Sequence, residues 1–185
     1  MSKQPILDLS PFYYWENFNY VLGYVKKQYH NLLADSEIIF IQDFENLPKD
    51  SQCLYLRLAS RRALWFREEK LSYVEIPHIS LHINELFENG FVRFASTQDS
   101  VQLGSILSVF SKKECIAFTS TLVYFPKYST TISKDELVNL CKPFSFEIIQ
   151  SLTELSSRLI CPGHLEYFTF IQFLFFGTKF RDMSE

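Results

Sequence analysis

Apolar residues recur at helical spacing near the start of the chain, and this pattern limits the fold more than any other feature. From Trp15 onward they return every three or four residues, so they share one face of an α-helix. They are Trp15, Phe18, Leu22, Val25, Tyr29 and Leu32. Ser10 followed by Pro11 predicts the helix start, because serine caps helices and proline is tolerated in the first turn.

Two further helices are predicted before residue 63. One starts at Asp35 or Ser36 and ends at Pro48, and the next runs from about Gln52 to Arg62. The chain has 19 Phe and 10 Tyr but 5 Gly, which favours densely packed helices over a loop-rich fold. Its 185 residues suffice for one large domain or two small ones.

A winged-helix-like segment is predicted between residues 71 and 94. Residues 71–74 favour a short extended stretch, and a helix follows over residues 79–88. That helix is predicted to end at Asn89-Gly90, because glycine adopts the left-handed conformation that terminates helices. "FVRF" (residues 91–94) then predicts a short strand.

The second half suggests another module. "ASTQDS" (residues 95–100) is polar and is predicted to be a linker. Beyond it, a helix, an extended connector and a second helix that opens with a Ser133/Glu136 capping box form the pattern of SAP-type DNA-binding modules. The predicted fold class is therefore mainly α: a helical bundle with a winged-helix-like segment and short β-strands, followed by a SAP-like helix-extended-helix module. The predicted domains are residues 1–100, 101–144 and 145–185, the last being the start of a further helical region, truncated in this chain.

Basic residues cluster in two islands although the formal net charge is −3. Residues 51–70 carry 5 Lys and Arg against 2 acidic residues, and residues 111–142 carry 5 against 3. The candidate phosphate contacts are Arg57, Arg61, Arg62, Arg67, Lys70, Lys112, Lys113, Lys127 and Lys134. Arg57 and Arg61 would share a helix face, and three of the lysines lie in the first turn of a predicted helix, where backbone N–H groups attract anions. Solvated helix faces with local ion pairs are the alternative for both islands.

Motifs for catalysis and for metal binding are missing from the sequence. It has no HExxH, GxSxG or Walker-type glycine loop, so no catalytic residue and no metal ligand is predicted. His78 and His82 are four residues apart, but no third ligand lies nearby, and both are expected to be surface or cap histidines. The four scattered cysteines indicate reduced core thiols of a cytosolic protein. The apolar run over residues 167–176 is about half as long as a membrane span requires, and it predicts a buried helix.

Three stretches resemble the N-terminal half of the Fanconi-associated nuclease family, a group of VRR-NUC (virus-type replication-repair nuclease) proteins, and bacterial members above all. They are "PFYYWENFNYVLGYVKKQY", "LYLRLASRRALWFREEKLSYVEI" and "FLFFGTKFRDMSE". The middle stretch is the most specific, with a basic helix, Trp65-Phe66-Arg67, a Lys-Leu-x-Tyr step and Glu75-Ile76. The long aromatic connector with Tyr124, Phe125 and Tyr128 departs from the SAP pattern.

This resemblance implies a non-catalytic DNA-binding region of a nuclease that acts on branched or 5′-flap DNA in repair, including crosslink repair. No cofactor is expected in this chain. Mg²⁺ or Mn²⁺ would belong to a C-terminal nuclease domain, which this chain lacks. The expected location is the bacterial cytoplasm, in association with the nucleoid through DNA and not with a membrane. The helix face with Phe168, Ile171 and Phe175 is expected to pack on the missing residues.

Two other functions remain to be weighed. The chain could be a helical interaction scaffold that docks a partner through an aromatic surface, and it would then expose an apolar patch. A free-standing winged-helix regulator is disfavoured, because the candidate reading helix over residues 79–88 contains no Arg or Lys.

Overall fold

The computed structural model describes residues 10–129, 131–155 and 158–177. In chain order, the helices are α1 (Tyr13–Gln28), α2 (Asp35–Asn46), α3 (Lys49–Ala59), α4 (Ile79–Glu88), α5 (Leu103–Ser108), α6 (Lys112–Ser120), α7 (Lys134–Cys141), α8 (Ser145–Leu155) and α9 (Leu165–Phe176). The strands are β1 (Phe66–Arg67), β2 (Val92–Phe94) and β3 (Leu159–Pro162). The predicted fold class, mainly α with short strands, is confirmed. Residues 178–185, which hold most of the third resembling stretch, lie outside the described part.

The chain forms two compact units, each assembled from separate stretches. The first unit combines residues 10–62, 73–91 and 164–177, and the second combines residues 63–72 with residues 92–163. The boundaries predicted at residues 100 and 144 therefore both fall inside the second unit. The sequence analysis assumed that each domain is one continuous stretch, whereas each unit combines stretches that are far apart in the chain.

Aromatic side chains fill the core of the first unit. Phe18 and Leu22 of the predicted α1 stripe are fully buried, but α1 ends at Gln28 and leaves Leu32 exposed. Phe18 stacks on Phe168 of α9, with ring centroids 5.2 Å apart. Phe168 and Ile171 are thus buried within this unit. The expectation that this face packs on missing residues is therefore wrong for Phe168 and Ile171, whereas Phe175 is partly exposed.

Helix α3 is shifted by three residues from its prediction. It begins after Pro48, and its last turn tightens because the Arg61 amide donates to the Leu58 carbonyl, three residues back, at 3.2 Å. Arg61 and Arg62 therefore follow the helix. The predicted shared helix face of Arg57 and Arg61 does not exist.

The end of α4 matches its prediction. Gly90 has a φ of +77°, its amide donates to the Phe87 carbonyl at 3.1 Å, and the Phe91 amide donates to the Leu86 carbonyl at 2.8 Å. This pair of bonds is the Schellman motif, which requires a left-handed residue at the glycine position. The predicted strand follows as β2.

The second unit contains a small antiparallel sheet and helices α5 to α8. The strand order is β1-β3-β2, and Phe66 and Phe94 both lie opposite Ile160 of the central strand. The segment predicted as a linker is ordered instead. Ser96 starts a 3₁₀ helix (Thr97–Gln102), and buried Asp99 accepts a hydrogen bond from the Ser96 amide at 2.9 Å.

None of the helices in the described ranges is both long enough and apolar enough to cross a membrane. The apolar run over residues 167–176 forms most of α9, a helix of 12 residues.

Candidate nucleic-acid interface

Arg57, the first predicted phosphate contact, is held inside the first unit. Its guanidinium donates two hydrogen bonds to Glu75, from Nε at 3.1 Å and from Nη2 at 2.5 Å. It also lies over the ring of Tyr14, 3.9 Å from the centroid, and the Tyr14 hydroxyl donates to the same carboxylate. Burial opposes ionisation of Glu75, but the bonds from Arg57 outweigh it and lower the pKa of this carboxyl. Arg57 therefore connects α1, α3 and the segment before α4.

Arg61 and Arg62 lie just beyond α3, and both are exposed. The guanidinium of Arg61 is 5.5 Å from the ring centroid of Tyr73, so the side chain is oriented by a cation–π contact at the surface. This position leaves the charge of either residue accessible to a polyanion.

Arg67 of β1 is a structural residue of the second unit. Its side chain is 13% exposed and donates to Glu69 at 2.5 Å and to Glu114 at 2.6 Å. The guanidinium also lies 4.4 Å from the ring centroid of Phe110. Because a ring covers one face of the guanidinium and two carboxylates bond its edge, Arg67 has little capacity left for a phosphate.

Capping boxes order the starts of α6 and α7, as predicted for α7. Ser111 and Glu114 bond reciprocally at one start, and Ser133 and Glu136 do so at the other. The pKa of Glu114 falls to about 2, first through the backbone N–H of Ser111 and then through Arg67. The carboxylates of Glu114 and Glu136 neutralise part of the positive potential at the N-termini of α6 and α7. Any net positive charge at these helix starts must therefore come from lysine side chains.

The two helix starts lie close together in the second unit. Hydrogen bonds from Ser133 lower the pKa of Glu136, and the charge of Lys112 on α6 adds to that effect. Burial raises the pKa of Cys115 on α6, and the charge of Lys134 on α7 opposes the rise. The Lys134 Nζ at the start of α7 lies 3.0 Å from the Ser108 carbonyl, three residues before the Ser111 cap of α6, so the two helix starts are near each other.

The remaining predicted lysines differ in their exposure. Lys134 Nζ donates to the Ser108 carbonyl at 3.0 Å, which ties the start of α7 to the end of α5. Lys112 is partly buried, whereas Lys113, Lys127 and Lys70 are exposed. The predicted phosphate contacts that are exposed are Arg61, Arg62, Lys70, Lys113 and Lys127.

Two further arginines, both outside the predicted set, flank the sheet. Arg93 of β2 pairs with Asp99 at 2.8 Å and lies over the ring of Trp65. Arg158, just before β3, pairs with Glu68 at 2.6 Å and lies over Phe94. The Arg93–Asp99 spacing of six residues was a local signal for the first pair, but Glu68 and Arg158 are 90 residues apart.

His82 was predicted to be a surface or cap residue, but it is buried. Its Nδ1 lies 3.0 Å from Ser51 Oγ, and its Nε2 lies 3.8 Å from Asp50. His78 is exposed and precedes α4 in a left-handed conformation, with a φ of 53°. Within the described ranges, no group of three or more His, Cys, Asp or Glu side chains could hold a metal ion. The described residues therefore do not fit the catalytic metal of a nuclease.

Comparison with known proteins places these features in a family. A family model described as the FAN1 HTH domain matches residues 12–93, from α1 into β2. The Fanconi-associated nuclease 1 homolog of Pseudomonas aeruginosa is 30% identical over 95% of this chain. This chain belongs to the Fanconi-associated nuclease family. The homolog of Arabidopsis thaliana is also 30% identical, over 71% of this chain.

Solved structures of the family share this fold. The crystal structure of paFAN1 bound to 2nt 5′-flap DNA with gap matches 98% of this chain with a TM-score of 0.78 and 25% identity. A second one, bound to 1nt 5′-flap DNA with gap, matches 94% of this chain with a TM-score of 0.77 and 24% identity. The chain spans 32% and 31% of those two chains, 31% of the Pseudomonas relative and 15% of the Arabidopsis relative.

Proposed function

We propose that this chain is the DNA-binding N-terminal region of a structure-specific repair nuclease that acts on branched or 5′-flap DNA. The observation that carries the proposal is the likeness over nearly the whole chain to paFAN1, whose structure contains 5′-flap DNA. The five exposed cations among the predicted phosphate contacts give this fold the charge to contact phosphates. Such contacts position the protein on DNA and carry little sequence information.

The chain itself would position the DNA and not cleave it. Catalysis and its Mg²⁺ or Mn²⁺ would belong to the part of the longer relatives that this chain does not match. Arg57, Arg67 and Lys134 would hold the surface in shape, while the exposed cations would contact phosphates. Such a protein would act in the cytoplasm of a bacterium, at the nucleoid.

Fluorescence anisotropy of the 185-residue chain tests this proposal. A labelled 5′-flap and a plain duplex of the same sequence are titrated at several salt concentrations. The proposal predicts binding that weakens steeply with salt and favours the flap. Absence of binding to either DNA at 50 mM salt or below would refute it for this chain.

An interaction scaffold is the second candidate, and one aromatic cluster favours it. Tyr20 is 69% exposed in the first unit, and its ring and that of Tyr24 lie 5.9 and 5.0 Å from Phe175. Phe176 is also exposed beside Phe175, at 4.8 Å. Exposed aromatic clusters of this kind mark docking surfaces. Substituting Tyr20 and Tyr24 by Ser would abolish partner capture and leave DNA binding unchanged if the scaffold function holds.

A further inference from the structure

The connector between α6 and α7 carries two large side chains that the fold leaves uncovered. Val123 is 87% exposed and Tyr124 is 88% exposed, so neither contributes appreciably to the core. Their neighbours Leu122, Phe125 and Tyr128 pack instead against the buried cluster of the second unit. The stability of the fold does not require an aromatic side chain at this exposed position, because a polar side chain there would leave the core unchanged.

The packed neighbours give the exposed pair a defined place. The ring of Phe125 lies 5.2 Å from Phe144 and 5.8 Å from Tyr128. The Tyr128 hydroxyl is 2.9 Å from Thr119 Oγ1 at the end of α6. The Phe125 amide donates to the Leu122 carbonyl at 3.3 Å, which forms a turn around Val123 and Tyr124. Tyr124 is therefore presented on an anchored turn.

The charge around this turn fits an anion. Residues 115–134 contain no Asp or Glu, in a chain whose formal net charge is −3. Lys127 is exposed three residues after Tyr124. A tyrosine, a lysine and a segment without acidic residues match a nucleic acid, since its bases offer π-faces and its backbone offers phosphates.

We propose that Tyr124 stacks on a nucleobase exposed at the branch point of the DNA, with Val123 beside it and Lys127 on a neighbouring phosphate. This rests on the proposed DNA-binding function and deepens it. In a continuous duplex each base pair is covered by the next, whereas a flap or a gap interrupts the stack and leaves a π-face open. A stacking contact thus adds selectivity for branched DNA over duplex DNA to that of the phosphate contacts.

A 5′-flap with 2-aminopurine at the branch nucleotide tests the proposal on the 185-residue chain. We expect Tyr124→Ala to weaken flap binding by about 5- to 150-fold, the range for losing one base–aromatic stack. Affinity for the plain duplex should change by less than about 2-fold. The wild type and Tyr124→Trp should quench the 2-aminopurine fluorescence, and Tyr124→Ala should not. Tyr20→Ala is the matched control, because Tyr20 is an exposed tyrosine of the first unit and should alter neither signal.

The outcomes separate this proposal from the function on which it rests. Unchanged flap affinity and unchanged quenching in Tyr124→Ala would overturn it and leave the exposed pair as a protein-docking surface. Equal losses on flap and duplex would also overturn it, because the residue would then act without recognising the branch. If the wild type bound no DNA even at low salt, the proposed function would fail first. Melting curves of the Tyr124 variants should match that of the wild type, because the side chain is 88% exposed.

Discussion

Removing Arg61 and Arg62 together should lower the salt dependence of DNA binding by a predictable amount. Each phosphate contact contributes about 0.9 to the slope of log K against log salt concentration. If the five exposed cations each contact one phosphate, the slope is about −4.5, and the Arg61→Ala/Arg62→Ala variant should show about −2.7. Between 50 and 200 mM salt, affinity would fall about 500-fold for the wild type and about 40-fold for the variant.

Anisotropy titrations at four salt concentrations measure both slopes. Lys26→Ala is the control, because Lys26 is also an exposed cation of the first unit but pairs with Glu45 at 2.8 Å. Its slope should stay within about 0.5 of the wild type. The reasoning is refuted if the double variant keeps the wild-type slope, or if its loss of affinity depends on the DNA sequence, which would indicate base readout.

Three other substitutions test the internal contacts. Arg57→Met should lower the free energy of unfolding by about 1–3 kcal/mol in urea titrations, because it leaves the partly buried Glu75 without its partner. Glu114 has its pKa lowered from 4.5 to about 2 on folding, so its contribution is complete above about pH 5 and is lost as the pH falls towards 2. The melting temperature of the wild type should therefore drop more between pH 5 and pH 3 than that of Glu114→Gln. Gly90→Ala should cost about 1–2 kcal/mol by chemical denaturation, because Gly90 has a φ of +77° although a Cβ would meet nothing closer than 3.8 Å.

Local signals predicted the elements that depend on neighbouring residues. The α1 stripe, the Ser133/Glu136 capping box and the Schellman motif at Gly90 each involve residues within a few positions of one another. In the capping box and the Schellman motif, the side chain or the φ angle acts on its own helix, so a sequence window contains the whole cause.

Sequence reasoning failed where the cause lies elsewhere in the chain. Arg57 and Glu75 are 18 residues apart, and Arg67 and Glu114 are 47 residues apart. Counting charges within an island treated these arginines as available cations, although Glu75 and Glu114 lie outside it. The predicted boundaries differ from the two compact units for the same reason, since β3 brings residues 159–162 between β1 and β2.

Four arginines share one arrangement, and it explains why charge counting was misleading. Each lies over an aromatic ring and bonds a carboxylate, namely Arg57 with Tyr14 and Glu75, Arg67 with Phe110 and Glu114, Arg93 with Trp65 and Asp99, and Arg158 with Phe94 and Glu68. A planar guanidinium can stack and bond at its edge at once, whereas an ammonium group cannot. In a chain rich in Phe and Tyr, arginine is therefore suited to joining segments within a unit. Substituting an arginine of this set should reduce stability more than DNA affinity, and substituting an exposed lysine such as Lys113 should do the reverse.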